Sequence, residues 1–193
     1  MSMIGHNGGP VTGTGWNKHC WSKARKDLLP LLPIEVIRTR LRRAKELGLD
    51  YKSYASVRSK TGHDIVALLF SSNALRVFKD GQPVAETKLQ KLAALKHCDR
   101  LIAAAKPVVP KTLANQLEDG GVQVLTAFEA PTLAHGIRET REAFKAALSP
   151  SKLPGDKVLI VGDTMLEAEW ADIARLGAYL PAETYFAGQN CQS

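Results

Sequence analysis

Residues with chemical capacity gather first at Asp163-Thr164-x-x-Glu167, inside the stretch KVLIVGDTMLEAEWADIARLG at 157–177. Two carboxylates four residues apart, with a hydroxyl between them, admit two chemistries. In one, Thr164 caps a helix and Glu167 returns its carboxylate to the cap's backbone N–H, the spacing of a capping box. Glu169 and Asp172 in the following turns then complement the helix dipole. In the other, Asp163 or Glu167 is a metal ligand, a general base or a nucleophile, and both are candidate catalytic residues. The capping reading accounts for the spacing without any ligand. A second set, Ser71, Ser72 and Asn73 with Lys106 and Thr164, offers hydroxyls, an amide and a cation. A small polar or phosphorylated ligand needs such groups, so these five are the candidate ligand-binding residues.

Other chemistries find less support. His19-Cys20 and His97-Cys98 are the nearest approach to a metal set, but adjacent residues rarely ligate one ion, and no metal site is assigned. GxSxG, GxGxxG and GxxxxGK[ST] are all absent, which removes the sequence basis for a nucleophile elbow, a dinucleotide fingerprint or a P-loop. His63 and His135 are read as surface or capping residues. The cofactor, if there is one, is unknown.

The elements that would position these groups follow from periodicity. Val158–Gly162 is apolar and ends in a polar pair, so it reads as a buried strand running into an amphipathic helix with Leu166, Trp170, Ile173 and Gly177 on one face. Ile65–Phe70 is a similar strand with the polar exit Ser71-Ser72-Asn73. Leu101–Ala105 and Val122–Phe128 are further strands, and Tyr179–Phe186 is expected as a last edge strand. Asp80-Gly81 between Ala74–Phe78 and Pro83–Glu86 predicts a hairpin. Helices are predicted from Thr87 to about Cys98 (with Thr87 and Gln90 as a capping box), from Pro110 to Gly120, and from about Thr132 to Leu148. This alternation calls for an α/β fold, a mostly parallel sheet with helices on both faces. In such a fold the carboxyl ends of the strands hold the ligand site, and Ser71, Ser72, Asn73, Lys106, Thr126, Glu129, Asp163, Thr164 and Glu167 would gather there.

Charge divides the chain unevenly. Residues 1–62 hold 12 Lys/Arg against 4 Asp/Glu, whereas 63–193 hold 14 against 15, within a total of +7 over 193 residues. The first 15 residues contain five glycines and read as a disordered arm. Residues 16–62 read as a basic helical segment, and 63–193 as the α/β domain. In 16–32, Trp16 and Trp21 alternate with Lys18, Lys23, Arg25 and Lys26, a pattern that either pins a short helix or stacks on bases. Pro33 opens a helix with Ile34, Ile37, Leu41 and Ala44 on one face. Gly48 stops it, Asp50 caps a second helix from Tyr51 to about Lys60, and Gly62 ends that one. Two short cationic helices joined by a glycine turn have the form of a helix-turn-helix or of a helical cap with a solvated face. In the first case Arg38, Arg42, Arg43, Lys45, Lys52, Arg58 and Lys60 are the candidate nucleic-acid-binding residues.

Four resemblances bear on function. Ile4 to Pro10, IGHNGGP, resembles the opening of many phage and prophage-type bacterial proteins, several of them associated with DNA. VGDT at 161–164 is similar to the late acidic motif of haloacid-dehalogenase-like phosphatases, which implies a magnesium-holding role for Asp163; where those enzymes carry DxDxT after the first strand, this chain reads FSSNA. Thr164, Glu167 and Ala171 resemble the Thr-x-x-Glu-x-x-x-Ala pattern of nucleoside deoxyribosyltransferase-like proteins, which implies Glu167 as nucleophile, although that family's glycine-rich first-strand turn is missing here. Cys98–Phe128 resembles the strand–helix–strand core of the dinitrogenase iron–molybdenum cofactor-binding family, which implies a ribonuclease H-like fold and brings no ligand residues.

Three scattered cysteines without CxxC spacing point to a reducing compartment, and the expected location is the cytoplasm. No apolar run approaches the roughly 18 residues of a membrane span, and no secretory signal is expected. The expected function is that of a nucleic-acid-associated accessory or regulatory protein of phage or prophage type. A small α/β hydrolase or glycosyl transferase acting on a nucleotide-like or phosphorylated substrate is the first alternative. An interaction module or inhibitor with a protein partner is the second.

Overall fold

The structure, a computed structural model, describes residues 33–187. The expected arm at 1–15 and the tryptophan-rich stretch at 16–32 lie outside them. Five strands, β1 (Ala67–Ser71), β2 (Asp99–Ala104), β3 (Thr126–Glu129), β4 (Val158–Gly162) and β5 (Ala178–Pro181), form one sheet in the order β3-β2-β1-β4-β5. Every neighbouring pair is parallel. Seven described helices accompany them: α1 (Ile34–Glu46), α2 (Tyr51–Thr61), α3 (Glu86–Ala93), α4 (Pro110–Asp119), α5 (Ile137–Leu148), α6 (Met165–Ile173) and α7 (Ala182–Ala187). The expected α/β class and mostly parallel sheet are what the chain adopts. No described helix is long and apolar enough to cross a membrane.

The central strands are buried end to end, ALLFS in β1 and VLIVG in β4. Continuous apolar runs of this kind belong to strands covered on both faces. One face carries Leu68, Phe70, Ile102, Leu159 and Val161, packed with Ala44, Tyr54, Val57, Leu92, Leu113, Leu117 and Tyr185 from α1 through α4 and α7. The other carries Leu69, Leu101 and Ile160 against Phe144, Leu148, Trp170 and Ala171 of α5 and α6. Phe144 sits between Phe128 and Trp170, with ring centroids 5.4 and 5.7 Å apart. The buried thiol of Cys98 is pushed up to about 12 by desolvation, which outweighs the nearby Arg43 and Arg100. It is a neutral packing group at physiological pH.

Local chemistry sets the boundaries. Gly48 adopts φ +63 at the end of α1, with its N–H on the Lys45 carbonyl and the Leu49 N–H on the Ala44 carbonyl, so the predicted stop is a Schellman closure. Asp50 caps α2 by accepting the Ser53 N–H at 3.0 Å, and Gly62 ends it in the left-handed region. Five expectations differ from the structure; in the first, the strand expected over Val122–Phe128 is strand only over Thr126–Glu129. The hairpin over 74–86 is a turn-rich crossover, because the Gln82 side chain satisfies the backbone that a ladder would have paired. Its amide oxygen accepts the Phe78 and Lys79 N–H groups and its amide nitrogen donates to the Arg76 carbonyl. The cap of α3 is Ala85 with no side-chain bond, so Thr87 and Gln90 form no capping box; Gln90 instead donates to Glu86 at 3.1 Å. The helix expected from Thr132 begins at Ile137, after a turn in which the Thr132 N–H bonds to Nδ1 of His135. The run at 179–186 is strand only to Pro181 and then helix.

Arg43 was placed by sequence among the phosphate-contacting cations, and its guanidinium is turned inward. It donates to Asp64 Oδ2 and Glu46 Oε2 at 3.0 Å each, and to the carbonyls of Ile65 (2.8 Å), His97 (3.0 Å) and Lys96 (3.3 Å). Burial alone pulls this guanidinium down, and its pairs with Glu46 and Asp64 outweigh that and raise it. Asp64 also accepts from Tyr54 Oη and the Ile65 N–H, both at 2.9 Å. Arg43 therefore fastens α1 to the residues entering β1 and β2. Replacing it with alanine strands several carbonyls and Asp64, and Arg43→Ala should lower the free energy of unfolding by about 2–3 kcal/mol. Urea denaturation followed by far-UV circular dichroism reads this directly, and an unchanged midpoint would remove Arg43 from the framework.

Candidate functional site at the carboxyl edge

The strand order reverses direction between β1 and β4, since β2 and β3 follow on one side and β4 and β5 on the other. In a parallel sheet this switch point opens a crevice beyond the carboxyl ends of the two strands. The chain leaves β1 by a tight closure: the Arg76 N–H bonds to the Asn73 carbonyl and the Val77 N–H to the Ser72 carbonyl, both at 2.9 Å. Arg76 holds the left-handed position of this Schellman turn, φ 62, where glycine is usual. Ser71 and Ser72 are fully buried. The hydroxyl of Ser71 accepts the Ala74 N–H and that of Ser72 accepts the Ala105 N–H, each at 3.0 Å.

On the β4 side, Thr164 Oγ1 accepts the Glu167 N–H at 3.2 Å. Oε2 of Glu167 accepts the N–H groups of Asp163 (2.5 Å) and Thr164 (2.9 Å), so the capping box is formed. Its other oxygen does something the spacing did not announce: Oε1 accepts Nδ2 of Asn73 at 3.0 Å, across the switch point. Glu167 is only 1% exposed. It fits because Gly162 has no side chain; a Cβ there would lie 2.9 Å from Oε2 and 2.8 Å from Cε2 of Tyr179.

Arg76 crosses the same gap, with Nη1 3.0 Å from Asp163 Oδ2. Lys88 donates to the Ala74 carbonyl at 2.7 Å and lies 4.8 Å over the Phe186 ring. Burial pulls its ammonium down, the charge of Arg76 adds to this, and Asp163 opposes it. Between β1 and β2, Asp80 Oδ1 accepts the Val109 N–H at 3.0 Å. Between β2 and β3, Lys106 Nζ meets Glu129 Oε1 at 2.8 Å. Polar contacts thus tie β4 to β1, β1 to β2 and β2 to β3. Around them stand the exposed apolar side chains Phe78, Val109, Leu133, Ile137 and Met165.

The residues nominated from sequence thus fall into separate groups. Asn73, Asp163, Thr164 and Glu167 meet at the switch point; Ser71 and Ser72 lie sealed beneath it; Lys106 stands one strand further on, paired with Glu129. Sequence reasoning missed Arg76, Lys88 and Asp80, all within or beside the stretch assigned to a hairpin and a helix cap. A non-glycine residue in the left-handed region leaves no mark in a sequence, so only the polar exit after β1 hinted at them. Among the described residues no group of three or more His, Cys, Asp or Glu side chains stands together to hold a metal ion.

The cations of α1 and α2 behave differently from one another. Arg42, Lys45, Lys52 and Lys60 are exposed, and none forms an ion pair among the described residues. Arg58 stands 3.8 Å from Asp64. The chain divides into two units after Arg38, and within the first of them Arg38 pairs with Glu35 at 2.8 Å.

Removing the Glu167 carboxylate tests its holding role. Glu167→Ala leaves two backbone N–H groups and the Asn73 amide unpaired and should cost about 3 kcal/mol of stability. Glu167→Gln, with Asn73 free to turn its amide, should cost about 1 kcal/mol. Thermal unfolding of both variants checks the order, and equal losses would deny the carboxylate its part in the bridge. No family model, curated protein or solved structure matches this chain.

Proposed function

We propose that the protein is a nucleic-acid-associated accessory protein whose helices α1 and α2 contact phosphates. The observation that carries this reading is the set of exposed cations Arg42, Lys45, Lys52 and Lys60 on two consecutive helices, none of which forms an ion pair among the described residues. Exposed cations that form no ion pair remain available to an anionic partner, and a phosphate backbone releases counterions when they bind it. The excess of 12 Lys/Arg over 4 Asp/Glu in residues 1–62 supports the same reading. Arg43 and Arg58 serve Asp64 and belong to the framework of this surface rather than its contacts.

Binding of a labelled duplex and a labelled single strand across a salt series is the test. Four phosphate contacts on duplex give a slope of log K against log[salt] of about −3.6. The double variant Arg42→Glu, Lys45→Glu should bind far more weakly with a flatter slope and an unchanged unfolding midpoint. Absence of binding at low salt, or affinity that ignores salt, would overturn the proposal.

A second reading, a small anionic ligand at the carboxyl edge, is favoured by Arg76. Holding an arginine at φ 62 costs on the order of 1 kcal/mol that glycine would not pay. The residue is 3.0 Å from Asp163, in a pair whose arginine is exposed and whose worth is small. Under this reading Arg76→Gly leaves stability within about 1 kcal/mol of the parent and abolishes binding of inorganic phosphate or a nucleoside monophosphate, measured by calorimetry. A parent chain that binds neither would sink it.

A further inference from the structure

The face of the sheet opposite α2 carries a cavity between α5 and the end of α6. α5 runs into a 3-10 turn at Ser149–Ser151, and Lys152 ends that turn in the left-handed region, φ 52. The Leu153 N–H then returns to the Leu148 carbonyl at 3.3 Å, so the chain folds back beside the helix it has just left. Gly155 brings it close to the end of α6, where a Cβ would lie 3.0 Å from the Arg175 carbonyl. The space left between α5, this returning loop and Ala174 is about 470 Å³.

The lining sorts into two kinds of side chain. Phe144 and Leu148 are buried and continuous with the core around Trp170, and Leu153 and Ala174 extend that apolar surface. Arg141, Lys145 and Lys152 border the cavity as exposed cations, and none of the three forms an ion pair among the described residues. Positions 141, 144, 145 and 148 are neighbours on one helix face, so α5 supplies both kinds together. Arg141 is held against α6 by donating Nε to the Ile173 carbonyl at 3.1 Å.

No carboxylate borders the cavity, and those closest in sequence are engaged elsewhere. Glu139 accepts the Gly136 N–H at 2.9 Å, Glu142 pairs with Arg138 at 3.0 Å, and Asp156 stands 3.5 Å from His63. Asp172 lies on the side of α6 toward Tyr179 and Leu180 of β5. The cavity is therefore positive, with apolar surface directly beside the charge. Ser149 is the one neutral polar side chain in its lining, and its hydroxyl donates to the Lys145 carbonyl at 2.6 Å. A nucleobase or a sugar needs a set of directed polar side chains that this lining does not offer. An anionic head on an aliphatic chain needs only cations and apolar surface. Three cations exceed what one carboxylate calls for and suit a phosphate monoester, which carries a charge of about −2 near neutral pH.

We propose that this cavity binds a small amphipathic anion, the phosphate monoester of an aliphatic chain. The phosphate meets Arg141, Lys145 and Lys152, and the chain covers Leu148, Leu153 and Ala174. This site does not depend on the nucleic-acid reading.

Calorimetry of the full chain with octyl phosphate, below the concentration at which it aggregates, is the test. Inorganic phosphate, octanol and octanoate serve as partial ligands. The expected result is saturable one-to-one binding of octyl phosphate, about tenfold or more tighter than any of the three, with shifted methyl resonances at Leu148, Leu153 and Ala174. Lys145→Gln with Lys152→Gln removes two charges at nearly constant size and should weaken octyl phosphate by about tenfold. Ser149→Trp puts an indole into the cavity from an exposed position and should weaken it with the charge unchanged. Both should leave the unfolding midpoint and duplex binding as they were. Arg42→Glu with Lys45→Glu should leave octyl phosphate binding unaltered, so failure of one site is separable from failure of the other. No saturable binding of octyl phosphate, a partial ligand that binds as tightly, or affinity indifferent to both variants overturns the proposal. So does binding confined to vesicles of phosphatidylcholine and phosphatidic acid, which assigns the cations to a membrane surface. Loss of duplex affinity in the glutamine variant assigns them to nucleic acid and overturns it too.

Discussion

The carboxyl edge of this protein depends on one buried carboxylate. Taking Glu167 out of water costs several kcal/mol, and that cost is met only where fixed donors replace the lost hydration. Here the donors are the N–H groups of Asp163 and Thr164 and the amide of Asn73. Each demands something of its neighbourhood. The two backbone donors require the turn between β4 and α6 to be tight, which Gly162 allows by leaving the space a Cβ would fill. The Asn73 donor requires β1 to end level with β4, which the register of Phe70 with Val161 provides. One side chain thereby fixes the relation of the two strands that flank the switch point.

The amino ends of the strands are held by the opposite charge. Arg43 and Arg100 collect the carbonyls left over where the chain enters β1 and β2: Ile65, Lys96 and His97 for the first, Leu92, Leu95 and Cys98 for the second. At this end two arginines collect backbone carbonyls, whereas at the other Glu167 collects the N–H groups of Asp163 and Thr164. Arg43, nominated from sequence for contact with nucleic acid, and Glu167, nominated as a catalytic residue, both make their contacts inside the chain. Residue type alone does not distinguish the two uses, because a guanidinium suited to phosphate is equally suited to a cluster of carbonyls and carboxylates.

The same distinction shows how far the sequence could be read. Strands β1, β2 and β4 announced themselves as short apolar runs with polar exits, and the stop at Gly48, the cap at Asp50 and the box at Thr164 were visible as local chemistry. What failed was tertiary. Asp80-Gly81 is a hairpin signal only if two strands are there to pair, and Gln82 satisfies that backbone instead. The reach of Glu167 to Asn73 joins residues 94 positions apart, and no spacing rule covers such a pair. Nor could periodicity tell that Arg42 and Lys45 face solvent while Arg43 between them points inward, since that depends on where Asp64 and the carbonyls of Ile65, Lys96 and His97 arrive in space.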